Sequence, residues 1–162
     1  MPHGDRQAGF SYLLLLAWLS VLAIMMLRSE EHLLTLWRQQ REDQLLFAGD
    51  QIRNAIENYR KNPINHACFP TDFQQLLSDS YGKLRRWYLD PFTNSQEWGM
   101  IYDKQQHWVG IYSQGKGVPL KKSGFAARYD KYFKNAKSYA DWRFKVEEDA
   151  NAPPPKQCKA LH

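Results

Sequence analysis

The stretch that decides the fold is FSYLLLLAWLSVLAIMML, residues 10–27, which contains eighteen residues and no charged side chain. That length is about the minimum with which one helix crosses the hydrocarbon core of a bilayer. The alternative is a helix buried in a soluble core, but such helices usually keep a polar face. This stretch offers only Ser11, Ser20 and the Tyr12 hydroxyl. We therefore expect a transmembrane helix at residues 10–27.

The nine residues before this stretch, MPHGDRQAG, are mostly polar and end in Gly9. A secretory signal peptide would place a small-residue cleavage site after its apolar run. Here Leu27 is followed directly by Arg28, Ser29 and Glu30. The apolar run is therefore expected to remain in the mature protein.

The helical pattern continues beyond the apolar run, with Gly49 as the one glycine or proline between residues 10 and 62. In this second half, apolar residues recur at steps of three and four, which predicts an amphipathic helix packed on a domain. The stripe consists of Leu45, Ala48, Ile52, Ala55, Ile56 and Tyr59, while Arg38, Arg41, Asp43, Asp50, Arg53 and Glu57 mostly fall off it. We favour one continuous helix over residues 10–61. The alternative is a single-pass anchor followed by a separate helix.

The remaining chain predicts a small domain of helices and strands. Asn62-Pro63 ends the long helix, and Thr71 with Gln74 is expected to cap a second helix that ends near residues 79–82. Residues 97–102 and 107–113 predict a β-hairpin with a four-residue connection. Alternation through residues 140–146 predicts a third strand, whereas residues 114–137 are expected to form a loop. The predicted fold class is α+β, with a long N-terminal helix packed on a small antiparallel sheet.

These features resemble the type IV pilin and pseudopilin family. Gly9 and Phe10 stand at the edge of the uncharged run, behind a short leader. The likeness covers most of residues 9–146, and Asp90-Pro91-Phe92, Trp98-Gly99 and residues 109–113 are closest to the subgroup related to the major pseudopilin of type II secretion. It implies a prepilin-type leader at 1–9, the long helix at 10–61, a pilin-like periplasmic domain at 62–146 and a disordered tail at 147–162.

The resemblance also implies a function and a processing site. A prepilin peptidase would cut between Gly9 and Phe10 and methylate the new amino terminus. The chain would be a structural subunit of a type II secretion pseudopilus, single-pass in the bacterial inner membrane with its C-terminal domain in the periplasm. Its partners would be other pseudopilins and the inner-membrane assembly platform. A minor type IV pilin, a competence pilin, or a signal-anchored binding module that never polymerises remain as alternatives.

Leu14 departs from the family pattern. The family usually has Glu as the fifth residue after the cut, which is thought to pair with the amino terminus of a neighbouring subunit. A leucine supplies no partner for a buried amine, and a lone buried charge is costly. We therefore expect a minor or initiating subunit, or a short filament.

The formal net charge is +5, and residues 63–146 carry thirteen basic and seven acidic side chains. Within residues 116–137 the cations outnumber the single acid, Asp130, and four aromatic residues are interleaved with them. We call these cations the basic surface: Lys116, Lys121, Lys122, Arg128, Lys131, Lys134 and Lys137. Such a surface fits single-stranded nucleic acid, an anionic lipid or an acidic protein, or a solvated loop whose aromatics pack inward. We favour the solvated loop and expect no nucleic-acid partner.

The sequence contains no recognisable catalytic or nucleotide-binding motif, so we expect no enzyme and no cofactor. Major pseudopilins bind calcium in the loop that matches residues 113–122. Calcium usually requires carboxylate ligands, but this loop has no acidic residue and three lysines. We therefore expect no metal. Cys68 and Cys158 permit one disulfide in an oxidising compartment, and the sequence leaves that pairing open.

Overall fold

The computed structural model describes residues 7–65, 67–77 and 84–147. Three predicted features lie outside the described residues: the end of the second helix, residues 1–6 of the leader, and the tail beyond Glu147. The chain divides into two compact units, Met1–Gln39 and Gln40–His162. Helix α1, Gln7–Lys61, runs through the described part of the first unit and into the second. The continuous helix expected over residues 10–61 is confirmed, and it begins three residues earlier.

The first unit is a helix with apolar side chains on its surface. Between residues 10 and 26 every side chain is exposed except Leu22, which is half-buried. The Ser20 hydroxyl donates a hydrogen bond to the Leu16 carbonyl one turn earlier, at 2.8 Å. Among the described residues, none of the helices contains a segment with both the length and the apolar character needed to span a membrane.

The second unit combines the end of α1 with short helices and a sheet. After a 3₁₀ turn at Pro63–Asn65 come α2 (Phe73–Leu77), β1 (Gly99–Tyr102), β2 (Trp108–Tyr112), α3 (Ala127–Phe133), a 3₁₀ turn at Tyr139–Asp141, and β3 (Phe144–Lys145). In the described part of this unit, the strands form an antiparallel sheet in the order β1-β2-β3. The α+β class and the hairpin are confirmed.

The core of this unit lies between α1 and the sheet. All six predicted stripe residues of α1 are buried. They meet large aromatic side chains from the strands and α3, among them Trp108, Trp142, Phe133 and Phe144. A Cβ on Gly49 would lie 2.5 Å from the Phe144 ring. This glycine therefore lets α1 approach β3 closely, without interrupting the helix.

The expectation of a loop over residues 114–137 is wrong in part, because this region contains the helix α3. Its buried residues, Tyr129 and Phe133, are followed by buried Ala136 at the next helical step. The third strand is shorter than predicted, because only Phe144 and Lys145 pair with β2. The residues before them turn instead, since the Ser138 and Asp141 side chains form a capping box around a 3₁₀ turn. The predicted inward alternation through residues 140–146 is confirmed for Trp142, Phe144 and Val146 and is wrong for Ala140, which is half-buried while Tyr139 is fully buried.

Two local predictions were wrong by small margins. The second helix is capped one residue later than expected, since Asp72 accepts a hydrogen bond from the Gln75 N–H at 3.0 Å, and the Gln75 amide bonds to Thr71. Arg53, predicted to be off the stripe, is buried. Its guanidinium bonds to the Lys145 carbonyl of β3 at 3.4 Å and pairs with Glu57 at 2.6 Å. These partners satisfy the charge that burial removes from water.

Candidate functional site: a clamped loop beside the basic surface

A buried carboxylate on α1 holds the loop that follows the hairpin. Glu42 is 1% exposed. Its two oxygens accept hydrogen bonds from the Leu120 N–H at 2.6 Å, the Lys121 N–H at 2.9 Å and the Tyr139 hydroxyl at 2.8 Å. These three donors satisfy the hydrogen-bonding capacity of a carboxylate that burial removes from water.

A second buried carboxylate holds the other end of the same loop. Asp90 accepts bonds from the Ser113 hydroxyl at 2.7 Å and the Gln114 N–H at 3.2 Å. Its other oxygen accepts from the Phe92 N–H at 2.9 Å, which is the turn chemistry expected of Asp before Pro. Residues 113–121, which we call the clamped loop, are therefore fixed at both ends by carboxylates from elsewhere in the chain.

The middle of the clamped loop faces solvent. Val118 is 54% exposed, Leu120 is 39% exposed, and Lys116 is also exposed. Gly117 has a φ of 122°, which side-chain-bearing residues rarely adopt. Pro119 is buried between the two exposed aliphatic residues. The loop thus presents two apolar side chains on a backbone whose path is fixed.

Three members of the basic surface form contacts within the second unit, two of them with acids of α1. The Lys121 ammonium lies 3.1 Å from Asp43. Arg128 lies 3.8 Å from Asp50. Lys122 donates to the Ala136 carbonyl at 3.2 Å. The fold therefore uses these three residues to join the loop and α3 to neighbouring elements.

The other four members of the basic surface are exposed: Lys116, Lys131, Lys134 and Lys137. None of them forms an ion pair within the part of the chain that the structure describes. In helical register, Lys131 and Lys134 fall opposite the buried Tyr129 and Phe133. This free part of the basic surface is available to an external anion.

The aromatic residues near these cations mostly belong to the core. Tyr129 stacks on Phe133 with ring centroids 4.7 Å apart, and Phe125 packs edge-on against Phe133. Burial raises the pKa of the Tyr129 hydroxyl, and its 2.7 Å bond to Asp50 raises it further. Tyr132 is the exposed member of the four. The expectation that these aromatics pack inward is confirmed for three of them.

The residues named for processing and assembly lie in the first unit. Gly9 is in the first turn of α1. Phe10 is 68% exposed and Leu14 is 58% exposed. These side chains are available to lipid or to another helix, which is the condition that their predicted roles require.

No group of three or more His, Cys, Asp or Glu side chains that could hold a metal ion is present in the described ranges. Cys68 is disulfide-bonded. The other cysteine of the sequence, Cys158, lies outside the described residues.

No protein-family model, curated protein or solved structure matches this chain.

Proposed function

We propose that the chain is a pseudopilin-like structural subunit of a type II secretion pseudopilus, and a minor or initiating one. The observation that carries this proposal is the division of α1. Its first part exposes apolar side chains between residues 10 and 26, whereas its second part buries a regular stripe under a small antiparallel sheet. The first part of α1 is therefore suited to an apolar environment, and the second part packs in a folded domain.

The exposed apolar side chains support membrane insertion. Phe10, Trp18 and Met26 are each more than 60% exposed, in a stretch with no charge. Transfer of such surface out of water contributes about 25 cal/mol for each Å². A bilayer, and later the packed helices of a filament, supply that environment. Gly9 and Phe10, at the start of this surface, are the proposed cleavage and methylation site.

The disulfide of Cys68 supports a periplasmic domain. Disulfides persist in oxidising compartments and are rare in the bacterial cytoplasm. The sequence contains two cysteines, and Cys68, the one among the described residues, is not a free thiol. This orientation places the amino terminus on the cytoplasmic side, where the leader is removed.

The buried carboxylates support a structural role. Glu42 and Asp90 are surrounded by N–H and hydroxyl donors of the same chain. Their hydrogen-bonding capacity is used to hold the fold together, so neither presents a free carboxylate for acid–base chemistry.

The proposal is tested by processing in a host that carries a prepilin peptidase. Gly9→Leu should leave the precursor uncut in the inner membrane, because the peptidase requires a small residue before the cut. Gly4→Leu, the matched change within the same leader, should be processed normally. Electrophoretic mobility of the membrane fraction distinguishes the two forms. Normal processing of the Gly9→Leu chain would refute the assignment.

A further inference from the structure

We propose that the clamped loop and the neighbouring lysines form a docking surface for a carboxylate-rich segment of a different protein. The surface consists of the exposed Val118 and Leu120 on the clamped loop and of four exposed lysines, Lys116, Lys122, Lys134 and Lys137. The inference uses the second unit alone, so it stands whether or not the chain is a pseudopilin.

The first argument is that the backbone of this surface is ordered before any partner arrives. Glu42 fixes the Leu120 and Lys121 N–H groups, and Asp90 fixes residues 113 and 114. Loops that are already ordered lose less conformational entropy on binding. The fold thus buries two carboxylates to hold in place a segment whose Val118 and Leu120 side chains face solvent.

The second argument is the positive charge beside the apolar side chains. The Leu120 N–H and the Tyr139 hydroxyl donate to the same Glu42 oxygen, so the end of the clamped loop lies next to the segment that follows α3. The 3.2 Å bond from the Lys122 ammonium to the Ala136 carbonyl brings Lys122 beside the segment that carries Lys134 and Lys137. Lys116 lies on the clamped loop itself. An apolar centre with a charged, solvent-accessible rim is the usual composition of a protein–protein interface. The rim is cationic, so the complementary partner carries carboxylates.

The third argument excludes nucleic acid and lipid as the main partner. Binding to single strands relies on several aromatic side chains that stack with bases. Of the four aromatic residues here, Tyr129 and Phe133 are buried, Phe125 is partly buried against them, and Tyr132 is the single exposed one. Interfacial binding to a bilayer relies on a broad apolar helix face. The exposed positions of α3 instead include Lys131 with Tyr132 and Ala127, and the exposed Lys134 follows the helix directly.

The fourth argument excludes a second copy of this chain. Each copy carries a formal charge of +5, so two copies repel at long range. Among the described residues of the second unit, most acids are used within it: Glu42, Asp43, Asp50, Asp90, Asp103 and Asp141 all accept hydrogen bonds or pair with cations of the same chain. The partner is therefore a protein of different sequence.

The test measures binding of the full chain, in detergent, to a fluorescent peptide of sequence Glu-Glu-Leu-Phe-Glu-Glu by anisotropy. Binding should weaken about twofold to fivefold in Lys134→Gln, the range for one exposed charge pair. Lys104→Gln removes one exposed lysine from the hairpin connection and should leave affinity unchanged. Val118→Ser should weaken binding without altering its salt dependence, because it removes apolar contact and no charge.

Three outcomes would overturn the proposal. One is equal affinity for a peptide with Gln in place of every Glu, which would show that the lysines do not contribute to binding through their charge. Another is an equal loss in Lys134→Gln and Lys104→Gln, which would show a diffuse charge effect. The third is tighter binding of a twelve-nucleotide thymidine strand or of glycerol phosphate, which would assign the surface to nucleic acid or to lipid headgroups. Processing at Gly9 is measured separately, so either proposal can fail alone.

Discussion

Replacement of Glu42 by Gln tests the carboxylate that joins α1 to the clamped loop. One oxygen of Glu42 accepts from the Leu120 N–H and the Tyr139 hydroxyl, and the other accepts from the Lys121 N–H. The amide of Gln keeps one oxygen and turns an NH₂ group toward a donor at the other position. Glu42→Gln therefore loses at least one charge-assisted hydrogen bond and weakens the rest.

The expected cost follows from these contacts. A hydrogen bond to a charged group contributes about 1.5–3 kcal/mol, and a buried donor left unpaired adds to the loss. We expect Glu42→Gln to lower the free energy of unfolding by about 2–4 kcal/mol. Asp43→Asn is the matched control, because the Asp43 side chain is 68% exposed and its pair with Lys121 contributes about 0–1 kcal/mol.

Urea unfolding of the full chain in detergent, followed by tryptophan fluorescence, measures both variants under the same conditions. Trp108 and Trp142 are buried in this domain and report its unfolding. Tyr139→Phe removes one donor to Glu42, so its effect should be smaller when Glu42 is already Gln. A Glu42→Gln chain no less stable than the Asp43→Asn chain would refute the clamp.

Three further predictions follow from other parts of the chain. Ile56→Ala should lower the free energy of unfolding by about 2–5 kcal/mol, since Ile56 is fully buried, whereas Ile64→Ala at an exposed site should change it little. Burial acts to raise the pKa of Asp103, but hydrogen bonds from His107 and Gln105 outweigh it and hold the pKa below 3.8. Its stabilising effect is therefore present above about pH 4 and lost as pH falls further, and Asp103→Asn should flatten that part of a urea-unfolding series. Leu14→Glu should increase homopolymeric fibres in electron micrographs, while abundant long fibres from the unaltered chain would leave Leu14 as a tolerated variation.

The main elements of the fold could be predicted because their signals are local. The stripe on α1 repeats at steps of three and four over fifteen residues, and all of it is buried. The hairpin follows from two aromatic and β-branched runs around a short polar connection. In α3 the buried residues Tyr129 and Phe133 span only about one turn and are separated by Asp130, Lys131 and Tyr132, so the periodic signal is too short to predict a helix.

The clamped loop could not be predicted because its contacts are distant in sequence. Glu42 is separated by 78 and 79 residues from the loop N–H groups that it accepts, and by 97 from Tyr139. One local signal did exist. Glu42 precedes Leu45 by three residues and so continues the buried stripe. A charged residue at a stripe position indicates a buried charge with partners from elsewhere in the fold. Arg53, three residues before Ile56, is likewise buried and donates to the Lys145 carbonyl.

The most direct test of the proposed function is the mass of the amino-terminal peptide of the mature chain. The protein should be isolated from the inner membrane of a host that carries a prepilin peptidase, and the peptide should be sequenced by tandem mass spectrometry. The proposal predicts a chain that begins with N-methylphenylalanine at Phe10. A chain that still begins at Met1, or that begins after residue 27, would contradict it.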